Sequence, residues 1–230
     1  MVKSLFKPFY FVALFVIIVF ADLIAGSLES MNLRHYTKPL ILLSLFLYFA
    51  YNGKFLGKAV YMLMLAALFF SWLGDVMLMY DHISGSYFVL GLVFFLVAHI
   101  LYIILFLQNW NRTNSNSFFV VFLLLLIYGG FLFFQMKDNL GKLQIPVAVY
   151  IIVILSMAIT AFRRKEMVNR KSFVLVLLGA LLFITSDSLL AINKFMTNLA
   201  YSNILVMATY AAAQYLIVKG ILHQKEVSQQ

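Results

Sequence analysis

Eight long stretches of the chain are almost wholly apolar, and the polar residues gather in the short gaps between them. The stretches cover Pro8–Ala25, Tyr36–Gly53, Ala59–Met79, Ser86–Leu107, Phe118–Gln135, Leu143–Phe162, Ser172–Ile192 and Ala200–Leu222. Each is about 20 residues long, the length a helix needs to cross a hydrocarbon layer of about 30 Å. A transmembrane β-barrel would show shorter segments of alternating polarity. These segments are apolar on every side, so the pattern predicts helices. The second stretch is the least regular, because polar residues crowd both of its ends. The gaps are short, so consecutive helices should pack antiparallel. The first residues, MVKSLFKPFYFVALFVIIVF, have the outline of a secretory signal. They lack a small-x-small cleavage site and further spans follow, so they read as a retained first helix. The expected fold is all-α: one transmembrane domain over residues 1–230, a polytopic bundle of about eight helices.

Composition strengthens this reading. The chain is 64% hydrophobic and 11% charged over 230 residues, which leaves no room for a soluble domain. It has no cysteine, which removes disulfides, thiolate metal ligands and cysteine nucleophiles. The net charge of +9 does not call for nucleic acid, because the cations sit in loops beside the spans. With the N-terminus inside, twelve of the 17 Lys and Arg residues share its side: Lys3, Lys7, Lys54, Lys58, Arg112, Arg163, Arg164, Lys165, Arg170, Lys171, Lys219 and Lys225. Arg34, Lys38, Lys137, Lys142 and Lys194 fall on the other side. The positive-inside rule then places both termini in the cytoplasm, in the cell (inner) membrane. The loop RRKEMVNRK carries most of that signal and reads as a topogenic segment beside anionic lipid.

Two carboxyl groups break the apolar pattern. Asp75 lies in FFSWLGDVMLM, Phe69–Met79, and Asp187 lies in GALLFITSDSLLAINKF, Gly179–Phe195. A charged carboxylate at a helix centre costs about 2.5–3.5 kcal/mol on insertion scales. Such residues mark functional sites unless they only bond neighbouring helices. The third and seventh helices run the same way, so the two acids should lie at similar depth. Third of four and seventh of eight also hints at a four-plus-four repeat, of which the two motifs are a faint echo. Burial disfavours ionisation of a carboxyl group, and two close carboxyls divide into one protonated and one ionised. That division suits acid–base hydrolysis.

Further candidates surround the pair. Tyr87, Gly91, Phe95, His99 and Tyr102 share one face of the fourth helix by their spacing. Gly91 should admit a close neighbour there. His99 is the one histidine well inside a span, either a packed core residue or a group that touches substrate. Tyr210 and Gln214 are one turn apart on the eighth helix. They suit either a bond to an aspartate or ligand, or simple helix–helix contact. Lys38–Pro39 should open the second helix, with proline at a first helical position. Lys38 and Lys194 then stand at the level of the acids and could hold a lipid phosphate. Asp22 is a structural or pocket-lining candidate that could pair with Lys38. There is no GxSxG, no HExxH and no glycine-rich phosphate loop. His99 and two aspartates fall short of a zinc site, and no metal is expected. A transporter or binding protein for a small amphiphile, or a metal-dependent lipid hydrolase, remains the competing class.

Together these motifs resemble the YhhN family. The pieces are YTKPL at Tyr36, SWLGDVMLM at Ser71, GLVFFLVAHILYI at Gly91, IPVAVYIIVILSMA at Ile145, GALLFITSDSLLAINKF at Gly179 and YAAAQYLI at Tyr210. They fall in order along nearly the whole chain, and the combination is specific. Trp72 and Met77 depart from the smaller or aliphatic residues common in that motif. The resemblance implies an eight-helix enzyme that hydrolyses the vinyl ether bond of lysoplasmalogen. Its products would be a fatty aldehyde and glycerophosphoethanolamine or glycerophosphocholine. The family's two intramembrane aspartates fall on Asp75 and Asp187, as acid and base of a paired-carboxyl mechanism. The implied partners are a single-chain ether lysophospholipid and the bilayer, with no cofactor, no nucleic acid and no obligate protein partner. Lys38 and Lys194 would lie near the head group, with Asp22 a further substrate-binding candidate. His99, Tyr102, Tyr210 and Gln214 would orient it or the acids.

Overall fold

The structure is a computed structural model that describes residues 7–28, 31–112 and 116–224. Lys3 and Lys225, two of the cations used to orient the chain, lie outside the described residues. Among the described residues there are eight long helices and no β-strand. They are α1 (Pro8–Ser27), α2 (Met31–Asn52), α3 (Lys58–Leu78), α4 (Gly85–Leu107), α5 (Asn116–Met136), α6 (Gln144–Phe162), α7 (Arg170–Phe195) and α8 (Ser202–Leu222). Seven of them are long and apolar enough to cross a membrane, and α2 is the exception. The chain is therefore an integral, multi-pass membrane protein built entirely on helices.

The expected spans match these helices closely except at α2. That helix begins at Met31 rather than Tyr36, so Pro39 lies inside it and not at its first position. The polar turn Asn32–Tyr36 is helical although hydropathy gives no sign of it. A proline at this place cannot donate to the carbonyl of His35 one turn earlier. The Pro39 carbonyl in turn accepts a hydrogen bond from Trp72 Nε1 at 3.2 Å. Trp72 thus ties α3 to α2 at the proline. A proline does stand at a helix start in α1, which opens with Pro8.

The helices form two compact units in chain order, Met1–Leu101 and Tyr102–Gln230, with the boundary inside α4. In the first, Phe11 of α1 stacks on Tyr48 of α2 with ring centroids 3.8 Å apart. Tyr61 of α3 donates to the Ala50 carbonyl at 3.0 Å. Leu42, Leu45, Phe49, Met64 and Leu68 are fully buried between these helices. Glycines line the α3–α4 contact. A Cβ on Gly74 would lie 2.7 Å from the Phe95 ring, and one on Gly91 would lie 2.8 Å from Leu78. Gly91 does admit the close neighbour its position suggested.

In the second unit the tightest contact joins α7 and α8. A Cβ on Gly179 would meet Ile217 Cγ1 at 2.7 Å, the Ala213 carbonyl oxygen at 2.9 Å and the Ile217 nitrogen at 3.1 Å. On the other helix, Gly220 faces Val176 in the same way. Lipid tails are as apolar as leucine, so helices in a bilayer associate through close packing rather than through burial from water. Two of the three atoms facing Gly179 are backbone and cannot rotate aside. Gly179→Ala is therefore expected to destabilise the fold by about 1–3 kcal/mol, the usual cost of overpacking. Thermal unfolding in detergent checks this against Gly130→Ala, whose new methyl would meet nothing within 4 Å. Equal midpoints for the two variants would refute the packing argument.

Candidate active site

In the first unit α1, α2 and α3 bring one charged side chain each to a common group. Asp22 of α1 is buried, and its Oδ1 accepts a hydrogen bond from Thr37 Oγ1 at 2.7 Å. Its Oδ2 is also buried and has no hydrogen-bond partner among the described residues. Lys38, next to Thr37 on α2, is buried as well. It lies within electrostatic reach of Asp75 first, and then of Arg34, Asp22 and Asp81. Asp75 is only 2% exposed, one residue after the Gly74 that lets Phe95 close over α3. The expected nearness of Lys38 to Asp22 is present, and Thr37 supplies the direct bond. His99 is completely buried on the same face of α4 as Gly91, Phe95 and Tyr102.

In the second unit the triplet Ser186–Asp187–Ser188 sits on α7. Successive residues of a helix point about 100° apart, so the three side chains address three different helices. Ser186 Oγ donates to the Val206 carbonyl of α8 at 3.0 Å. Tyr150 of α6 donates its hydroxyl to Asp187 Oδ2 at 2.5 Å. Tyr128 of α5 donates to Ser188 Oγ at 2.7 Å, while Ser188 donates to Ile184 in its own helix. Asp187 is half-buried, and its phenolic hydrogen bond is as short as charge-assisted O–H···O⁻ bonds are.

The remaining candidates separate. Tyr102 donates to Gln214 Oε1 at 2.6 Å, so these two join α4 to α8. Tyr210 is buried edge-on against Phe183, with centroids 5.4 Å apart. Lys194 is exposed in the last turn of α7. Among the described residues, no three His, Cys, Asp or Glu side chains gather closely enough to hold a metal ion.

Sequence reasoning missed Thr37, Tyr128 and Tyr150. A signal for the tyrosines was available. Tyrosines of membrane proteins concentrate at the two interfaces, whereas Tyr128 and Tyr150 fall well inside apolar spans.

An all-helical, multi-pass membrane protein with hydrogen-bonded carboxyl groups inside its spans is a narrow class. The chain belongs to the YhhN family, whose sequence profile matches residues 33–221. That segment contains Lys38, Asp75, His99, Asp187 and Gln214, and it leaves out Asp22. Among characterised relatives, the chain is similar to a lysoplasmalogenase of Bos taurus, 33% identical over 69% of this chain and 65% of that protein. It is similar to one of Rattus norvegicus, 30% identical over 80% and 70%. A lysoplasmalogenase of Mycobacterium tuberculosis is 31% identical over 61% of this chain and 53% of its own length. The matches to the bovine and mycobacterial proteins thus span less than two thirds of those proteins. No solved structure matches the chain.

Proposed function

We propose that this protein is a lysoplasmalogenase that hydrolyses the vinyl ether bond of a single-chain phospholipid taken from the bilayer. The observation that carries the reading is a carboxyl group, Asp187, held by a phenolic hydroxyl inside an apolar helix, in a chain whose relatives bear that name. A vinyl ether is cleaved by adding a proton to its β-carbon, which leaves an oxocarbenium ion. Water then adds to the cationic carbon and loses a proton. The resulting hemiacetal breaks its carbon–oxygen bond, giving a fatty aldehyde and the glycerophospho alcohol, with one water consumed. This sequence needs a proton donor and an anion that stabilises the cation and receives the water's proton.

The short hydrogen bond from Tyr150 favours the anionic role for Asp187. Protonation then falls to Asp75 and Lys38 as a pair, which holds between its carboxyl and amine the proton that is delivered. Lys194, exposed in the last turn of α7, is the residue assigned to the lipid phosphate. Tyr102 and Gln214 fix α4 against α8, and His99 is packed nearby on α4. The reading requires no cofactor, no nucleic acid and no protein partner. The loop charges favour a cell (inner) membrane location with both termini in the cytoplasm.

The test is aldehyde release by the purified protein. Lysoplasmenylethanolamine and lysoplasmenylcholine are compared with the saturated alkyl ether analogue, which cannot be protonated to an oxocarbenium ion. Aldehyde should form from a vinyl ether lipid and not from the alkyl ether. No aldehyde from either lysoplasmalogen would sink the proposal.

A further inference from the structure

Arg164 follows α6 in the loop that leads to α7, where the sequence reading had placed only topogenic charge. Its side chain is the largest that is fully buried. Nη2 donates to Ser172 Oγ at 3.1 Å and to Gln224 Oε1 at 2.9 Å. Gln224 Nε2 donates in turn to Asn109 Oδ1 at 2.6 Å. The guanidinium carbon lies 5.6 Å from the centre of the Phe106 ring. The ends of α4, α6 and α8 and the start of α7 thus converge on one cation, and every group named is neutral. Arg164 Nε and Nη1 are buried without a hydrogen-bond partner among the described residues. Burial lowers the pKa to about 10, so the group still carries its charge at neutral pH.

Its surroundings add positive charge. Arg163 stacks against Trp110 and Phe118, 4.6 and 4.2 Å from the ring centres. Lys165, Arg170 and Lys171 follow in the chain, and Lys171 lies within electrostatic reach of Lys219 on α8. The one acid in this loop is Glu166, which is exposed and 3.8 Å from Lys165. A buried guanidinium with idle donors is costly unless an anion meets it. Phosphate oxygens suit its planar fork.

We propose that Arg164 is the floor of an anion site for the phosphate of an anionic bilayer lipid, with Lys171 and Lys219 at its rim. Lys171 precedes the Ser172 that holds Arg164, so a phosphate over the guanidinium also relieves the repulsion between the two lysines. Basic pockets between helix ends take lipid head groups through the same chemistry. Within this unit the site is about four helical turns along α7 from Asp187, since Ser172 and Asp187 lie 15 residues apart.

The test follows the unfolding midpoint of the purified full chain in detergent during titration with phosphatidylglycerol, phosphatidylcholine or inorganic phosphate. A ligand that binds only the folded state raises the midpoint. Phosphatidylglycerol should raise it by several degrees, and the other two should not. Arg164→Gln should abolish the increment. Should that variant not fold, Lys171→Gln with Lys219→Gln leaves the buried guanidinium in place. Each lysine near an anionic surface is worth roughly fivefold in affinity, so the pair should shift the titration by an order of magnitude or more. Equal stabilisation by phosphatidylcholine, or an unchanged titration in both variants, would overturn the site. An equal increment from inorganic phosphate would overturn the lipid as its source. Glu226, two residues beyond Gln224, lies outside the described residues. If Glu226→Gln lowers the midpoint as Arg164→Gln does while phosphatidylglycerol adds nothing, the counter-ion is the chain's own and the proposal fails.

Discussion

Asp187→Asn is expected to lower aldehyde release by roughly 10²–10⁴-fold, the range that a positioned acid or base contributes. Asp75→Asn should do the same. Asparagine keeps the size of the side chain, and at position 187 its amide oxygen can still accept the Tyr150 hydroxyl. Folding of the Asp187 variant should therefore survive, and an unchanged elution profile in detergent would confirm it; in the Asp75 variant Asp22 remains as a counter-charge for Lys38. Tyr150→Phe separates orientation from chemistry. It removes the 2.5 Å hydrogen bond and leaves the carboxylate in place. The expected result is a fall of about tenfold in kcat with little change in KM, since an interaction that only orients a catalytic group does not bind ground-state lipid. A raised KM with unchanged kcat would mean that Tyr150 contacts the lipid instead. Full turnover in either aspartate variant would remove that residue from the mechanism.

How much of this was legible in the sequence depends on which property each feature uses. Seven of the eight helices were readable because a span in lipid must be apolar along its whole length, and hydropathy measures that directly. The start of α2 was not, because residues 32–36 form a helical turn that carries polar groups. Asp75 and Asp187 stood out because a charge inside an apolar run has no other common explanation. The hydrogen-bond partners of Asp22 and Asp187 did not stand out. Thr37 and Asp22 are 15 positions apart, and Tyr150 and Asp187 are 37 apart. Only the packing of α1 on α2 and of α6 on α7 brings them within bonding distance. Tyrosine also counts as apolar in a composition, which hid two hydroxyl donors among the core-filling aromatics. The burial of Arg164 was not legible for the opposite reason. Charge counting treats every loop arginine as solvated, whereas four helix ends close over this one.

Lys38→Met should destabilise the protein by about 3 kcal/mol, the lower end of the loss when one member of a buried charge pair is removed. Asp75 and Asp22 are 2% and 1% exposed, and they would lose the cation that faces them. Methionine preserves the length and the apolar stem of lysine, so packing changes little. Adding Asp75→Asn to this variant should restore much of the lost stability, because it removes the carboxylate left without its counter-charge. A double-mutant cycle on unfolding in detergent reads the coupling between the two positions. A coupling energy near zero would mean that Lys38 serves some group other than Asp75. A large coupling would join Lys38 to the acid that the mechanism needs. The double variant, stable yet lacking the Asp75 carboxyl, should then fold well and release no aldehyde. That combination would assign the Asp75–Lys38 pair to chemistry and not merely to holding α2 against α3.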